Sequence, residues 1–463
     1  MDTVQQIRET ISELGNRLLD RHVRLAVTGL SRSGKTVFTA SLIHFLRHLR
    51  QEKHLAHFGV EAIEGVEVQG SPALDAPLFP YDRVIDGLGG AEPAWPEGTR
   101  AVSEIRIAIR FRPKQTFLNR GSRTLYVDVV DYPGEWLLDL PLMNARFAEW
   151  SEQTLALCGT GPRRACAGAW LEFAAQLDPA GPADQGAIRE GARLYRDFLL
   201  ACHRGQPELQ FLQPGRFLMP GELEGAPMLE FFPMAKPPGG TEGRSLWSEL
   251  EQRFEAYKRH VVQVFYEKHF AQFDRQIVLV DLVSVLNGGE AAYHDTRIAV
   301  QNILENFRYG KSGWWSRLLS PRIDRLLFAV TKADRVGRFQ APNLRHLFSR
   351  MFSEPENDIA FKGVEIRTLA VSALCCTADV HCAVEGRPLS CVQGRPLGLG
   401  TGEGVVTLFP GLVPTEPPAP GEWREQDYQF VDFAPPRLPD IHSAALPQLK
   451  MAEVVHFLLE DRL

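Results

Sequence analysis

At 463 residues the chain is too long for one ordinary domain and long enough to bury large cores, so two or three structural units are expected. A formal net charge of −6 excludes a generalised affinity for nucleic acid or acidic lipid, and no uninterrupted apolar run is long enough to span a bilayer, so membrane contact is not expected. The seven cysteines are scattered and odd in number, which favours a reducing, cytoplasmic compartment without structural disulfides.

In residues 1–20, Val4, Ile7, Ile11, Leu14 and Leu18 share one helical face, the pattern of an amphipathic helix rather than a signal peptide. The stretch 23-VRLAVTGLSRSGKTVFTASLIHFL-46 follows. Val23, Leu25, Ala26 and Val27 read as a buried strand, and Val37, Phe38, Leu42, Ile43 and Leu46 as a helix. Between them, Gly29 to Thr36 satisfies G-x-x-x-x-G-K-[ST] in full. Glycines let successive N–H groups of Ser31, Arg32, Ser33, Gly34, Lys35, Thr36 and Val37 curl around an anion, and the helix that opens at Lys35 adds its positive end. Lys35 is expected to touch only ligand, at the β- and γ-phosphates, and the Thr36 hydroxyl to bind Mg²⁺.

The Pro/Gly-rich segment 71–99 reads as a long loop, with Thr99 the best placed switch ligand for Mg²⁺. Segments 103–113 and 123–136 read as an antiparallel hairpin whose second strand ends in Asp131-Tyr132-Pro133-Gly134-Glu135. An Asp at that strand end supplies the metal contact of a P-loop enzyme, and Gly134 leaves an N–H free to approach a γ-phosphate. After Glu135 comes an insertion of roughly 140 residues, far beyond loop length. Helical spacing marks 141–157, 164–177, 186–204 and 245–270 within it, while 213–240 reads as irregular.

A strand at 276–286 returns to the sheet, a helix covers 290–308, and a strand ends in Thr331-Lys332-Ala333-Asp334. This matches the [NT]-K-x-D pattern, in which the Asp carboxylate accepts from guanine N1–H and N2–H₂ and Lys332 lays its stem along the base; adenine would leave that carboxylate unpaired. The strand 364–374 ends in Ser372-Ala373-Leu374, whose backbone would meet guanine O6, and 447–463 reads as a closing helix. Trp314 and Trp315 read first as packed aromatics, with a partner or membrane contact as the alternative.

These four motifs, in this order and each at a strand end, resemble the Ras-like P-loop GTPases. Together with the chain length and the GLSRSGKT, DYPGEW and TKADR wording, nearly the whole chain resembles the bacterial YcjX family of stress-linked P-loop nucleotide-binding proteins. The resemblance implies an α/β P-loop NTPase, a mostly parallel sheet flanked by helices, with a large helical insertion. The parts run 1–20 for the first helix, 21–135 and 274–463 for the nucleotide domain, and 136–273 for the insertion. The family resemblance implies a cytosolic protein that some descriptions call an ATPase, whereas Asp334 favours GTP; the expectation from the residues is slow hydrolysis of Mg²⁺·GTP to GDP, with an ATPase using the same loop, or a barely hydrolysing module that meets an unidentified protein partner through the insertion, as alternatives. Arg32 makes the loop similar to that of guanylate-binding proteins and atlastins, where this arginine is an internal finger aimed through self-association. Glu135 stands where Ras-like enzymes place a water-orienting Gln, so Arg32 either compensates as a catalytic group or is a solvated or ion-paired loop residue.

Overall fold

The computed structural model describes residues 21–51, 60–71, 76–90, 92–98, 101–114, 121–238, 244–308, 323–351, 364–384, 387–398, 404–424, 428–443 and 445–463. The helix expected over 1–20, Thr99, Trp314 and Trp315 lie outside these residues.

Seven strands form one sheet in the order β2-β3-β4-β1-β5-β6-β7. They are β1 (Arg21–Gly29), β2 (Val60–Gln69), β3 (Ser103–Pro113), β4 (Arg123–Asp131), β5 (Arg275–Val280), β6 (Arg325–Val330) and β7 (Glu365–Ala370). The hairpin β3–β4 is antiparallel, as is the outer pair β2–β3, while β4, β1, β5, β6 and β7 run parallel. The result is a mostly parallel α/β sheet. Side chains alternate across it. Val23, Leu25 and Val27 of β1 face a core shared with the helices Lys35–Arg47, Tyr81–Gly89 and Met451–Leu459. Ala26, Val130, Val278 and Phe328 face the other core. Strands buried on both faces read as near-continuous apolar runs, which is why β5 and β6 were legible.

The second core is continuous with the segment between β4 and β5. That segment holds the helices Phe147–Cys158, Gly161–Ala175, Gln185–Arg204 and Leu246–Tyr257. Trp150 packs on Phe254, Phe231 and Tyr195, and Phe147 on Trp247. Each such pair adds about 0.5–1.5 kcal/mol beyond its buried area. Because Tyr132 stacks on Phe273 and Trp136 meets Phe265 edge-on, the aromatic packing runs directly into the end of β4.

Three sequence expectations need correction. The segment 71–99 is not all loop, since Tyr81–Gly89 is a helix with Tyr81, Val84, Ile85 and Leu88 buried; local Pro and Gly content hid an amphipathic turn pattern. The run 276–286 is a strand only to Val280, after which Asp281 caps a short helix, Leu282–Asn287, by accepting from Ser284 N–H at 3.0 Å. A second, antiparallel sheet, β8 (Thr377–Val384), β9 (Arg387–Gly394) and β10 (Val406–Leu408), occupies a stretch in which no strand was expected.

Behind β4, the buried Asp139 accepts from Gly215 N–H at 2.9 Å and from the Tyr257 hydroxyl. Burial pushes its pKa up to about 6, although both of those contacts oppose the rise. The folded value thus lies above the ordinary value of about 4. As pH rises between those values the unfolded chain gives up this proton while the native state keeps it, so this group's contribution falls with pH by on the order of 2–3 kcal/mol. Asp139→Asn should abolish that dependence, read as the difference in urea midpoint between variant and parent from pH 4 to pH 7; parallel pH profiles would contradict it.

Candidate functional site

The parallel strands end on one edge of the sheet, and β1 lies at the point where the chain turns toward β4 on one side and β5 on the other. Ligands of open α/β sheets bind in the crevice at such a point. Here the crevice is a cleft of ≈ 580 Å³. Its floor is the turn from β1 into the helix Lys35–Arg47. Gly34 has φ 81°, a conformation that other L-residues adopt only under strain. Arg32 has φ 55° and adopts the left-handed conformation without that freedom.

The turn is braced from the neighbouring strand. Thr331 donates its hydroxyl to Ser33 C=O at 2.9 Å, and Lys332 Nζ donates to Arg32 C=O at 2.8 Å. Lys332 Nζ also donates to Asp281 Oδ2 at 2.6 Å. Burial opposes the Asp281 charge, but Lys332 and Arg335 outweigh it and hold the pKa down to about 2. These carbonyls are thereby drawn toward β6 and away from the cleft, while within the turn Ser33 N–H donates to Leu30 C=O at 3.1 Å.

Lys35 and Asp131 meet at this edge because Val27 pairs with Asp131 across β1 and β4. Lys35 Nζ lies 3.0 Å from Asp131 Oδ1, and both side chains are largely buried. The expectation that Lys35 touches only ligand is therefore wrong: it also balances a buried carboxylate. Gly134 has a packing role too. A Cβ there would stand 2.0 Å from Gly29 C=O, so only glycine lets the end of β4 lie against the turn that follows β1. Thr36 and Asp131 both line an adjoining cavity of ≈ 460 Å³, where the Thr36 hydroxyl lies 3.5 Å from Glu97 C=O. A hydroxyl and a carboxylate converging on one cavity are hard oxygen donors of the kind Mg²⁺ takes.

At the other end of the cleft, the Asp334 carboxylate is buried and oriented by Ser372 Oγ on Oδ1 and Cys376 N–H on Oδ2 at 2.7 Å. Burial pushes its pKa up, and those two bonds resist the rise. Ser31, Arg32, Ser33, Gly34, Lys35, Thr36 and Val37 line the same cleft, as do Gly134, Glu135, Thr331, Lys332, Asp334, Ser372, Ala373 and Leu374. Asp131 borders the adjoining cavity instead.

Sequence reasoning missed the walls. Trp95, His203, Met219, Leu397, Asp432 and Phe433 also line the cleft. Trp95 Nε1 donates to Phe433 C=O at 3.2 Å, and Arg335 pairs with Asp432. Arg335 alone had a local signal, its place directly after Asp334. The others reach the cleft through contacts distant in sequence.

The family described as YcjX-like, DUF463, matches residues 23–463. A curated protein from Escherichia coli, named "Ras-like GTPase YcjX", is 37% identical over 99% of this chain and 100% of its own length. A protein of the same name from Shewanella oneidensis is 35% identical over 100% of this chain and 99% of its own.

Lys35→Ala should abolish triphosphate binding and, by stripping Asp131 of its counter-charge, lower stability by on the order of 2 kcal/mol. Adding Asp131→Asn should restore the stability and not the binding. Titration with a fluorescent GTP and the urea midpoint separate the two effects; a stable Lys35→Ala protein that still binds would refute the phosphate assignment.

Proposed function

The chain belongs to the YcjX-like family, and from that premise we propose that it is a P-loop NTPase that binds GTP and hydrolyses it slowly to GDP and phosphate, acting as a nucleotide-dependent switch. The relatives' name, Ras-like GTPase, supports the base. The observation that carries the reading is Asp334, a buried carboxylate fixed by Ser372 and Cys376 at one end of a cleft whose other end is the braced phosphate turn. A carboxylate there pairs with the two donors of guanine and faces an acceptor in adenine.

In this reading Lys35 leaves Asp131 for the β- and γ-phosphates, and the N–H groups of the turn hold the remaining oxygens. Thr36 and Asp131 would hold Mg²⁺, which would supply charge neutralisation to the triphosphate. Water is the nucleophile in this reading, which releases free phosphate. Arg32 meets charge that develops on the γ-phosphate. Glu135, a carboxylate lining the cleft beside Gly134, repels that charge and keeps turnover slow. The same residue favours a second reading, a nucleotide-gated interaction module with negligible turnover. In both readings the helices of 136–273 form an insertion on the nucleotide domain and offer the surface for a protein partner. The link to stress response rests on the family resemblance.

The parent should bind GTP at least about a hundredfold more tightly than ATP. Asp334→Asn should shift preference toward XTP, because the new amide donates to the C2 carbonyl of xanthine; Ser372 can accept from that amide, so the fold should hold. Competition of GTP, XTP and ATP against a labelled nucleotide measures both. Equal affinity of the parent for GTP and ATP overturns the guanine assignment, and absence of phosphate release with tight binding selects the module.

A further inference from the structure

Arg32 does not stand alone in the phosphate turn. Its side chain is 72% exposed, and its Nε lies 2.9 Å from Oε2 of Glu208, which is 14% exposed. Glu208 comes from the segment between β4 and β5, just beyond the helix Gln185–Arg204 that brings His203 to the cleft.

The short stretch carrying Glu208 is fastened on both sides. Leu209 N–H donates to Cys202 C=O at 3.1 Å. Phe211 N–H donates to Asp295 Oδ2 at 3.0 Å, Gln210 N–H donates to the same oxygen, and Arg163 pairs with Oδ1. Asp295 is buried on the helix Gly289–Arg308, on the nucleotide side of the chain. Three groups from the β4–β5 segment thus converge on one carboxylate and set Glu208 at the mouth of the cleft.

Neither stability nor ligand binding accounts for that placement. An ion pair with one member this exposed adds little to stability. A carboxylate beside a triphosphate site repels the ligand. What the contact supplies is direction: the closest approach of the Glu208 carboxylate to the guanidinium is at Nε, its inner edge, whereas the terminal nitrogens are the pair suited to bind phosphate oxygens.

We propose that Glu208 is a positioning residue for Arg32, by which the segment between β4 and β5 aims, within one chain, the group that meets the γ-phosphate. The proposal rests on the GTPase reading above and on Arg32 acting in it. It gives the segment a part in turnover itself, separate from any partner it binds. Self-association is then not needed to aim Arg32.

The test uses the full chain with Glu208→Gln, Arg32→Ala, Arg32→Lys and the two Glu208→Gln combinations. Turnover and KM for Mg²⁺·GTP are measured, together with the gain in GDP affinity on adding aluminium fluoride, a mimic of the transferring phosphoryl group that reports on Arg32 even where turnover is low. Glu208→Gln should lower kcat about tenfold, as expected for loss of one charge-assisted contact. KM should be unchanged or lower, because a repelling charge is gone, and the aluminium fluoride gain should shrink with kcat. In the Arg32→Ala or Arg32→Lys background, neither of which has an Nε, Glu208→Gln should change nothing further. Equal fold losses in all backgrounds would make Glu208 merely structural. A rise in kcat would make the pair a restraint on Arg32. Either result overturns the proposal, as does an unchanged kcat. If Arg32→Ala by itself leaves kcat and the aluminium fluoride gain intact, the catalytic part of Arg32 fails and the proposal fails with it. If the parent does not bind GTP, the GTPase reading is what fails.

Discussion

Two adjacent side chains at the end of β6 tie the halves of the cleft together. Thr331 and Lys332 donate to the carbonyls of Ser33 and Arg32, and two residues on, Asp334 stands at the other end of the cleft. A loop that must gather several N–H groups around an anion has to dispose of its carbonyls elsewhere, or they would face the ligand's charge. The brace solves that problem with donors from the strand end that also carries Asp334. The turn and Asp334 are therefore held at a fixed distance. The buried Asp281 completes the arrangement by holding Lys332 in place, its charge kept by the two cations that face it.

The end of β4 is where this rigid unit meets the rest of the chain. Gly134 lies against Gly29, and the residues just after it are locked into the aromatic core: Trp136 meets Phe265, Arg216 stacks over Trp136 at 3.3 Å, and Gln213 bonds to Leu138 C=O. Asp139 and Gly215 close the contact from below. A displacement of Gly134 toward a phosphate would be felt by all of these groups, because close-packed aromatic contacts do not deform smoothly. The segment between β4 and β5 thus reaches the cleft through this packing, through His203 and Met219, and through Glu208 on Arg32.

What the sequence carried was local. The strand-turn-helix at 23–46, the hairpin ending in Asp131, the strand before Thr331 and the helices of 136–273 are readable because periodicity, glycine placement and motif spacing are properties of neighbours in the chain. The helix Tyr81–Gly89 escaped because proline and glycine around it looked like loop, and β8 and β9 because they lie on a small antiparallel sheet rather than in the main one.

The residue types at the turn after β1 and at Asp334 were thus determined by the sequence, and in the proposed reading they are those that the chemistry of a phosphate and of a guanine edge demands. Only the tertiary structure decided what those residues touch besides a ligand. Lys35 balances Asp131 because β1 and β4 pair with Val27 opposite Asp131, and Arg32 meets Glu208 because Asp295 fastens a distant loop at the cleft. Such contacts join positions far apart in the chain, and no local pattern of side chains encodes which distant charge will fold against which.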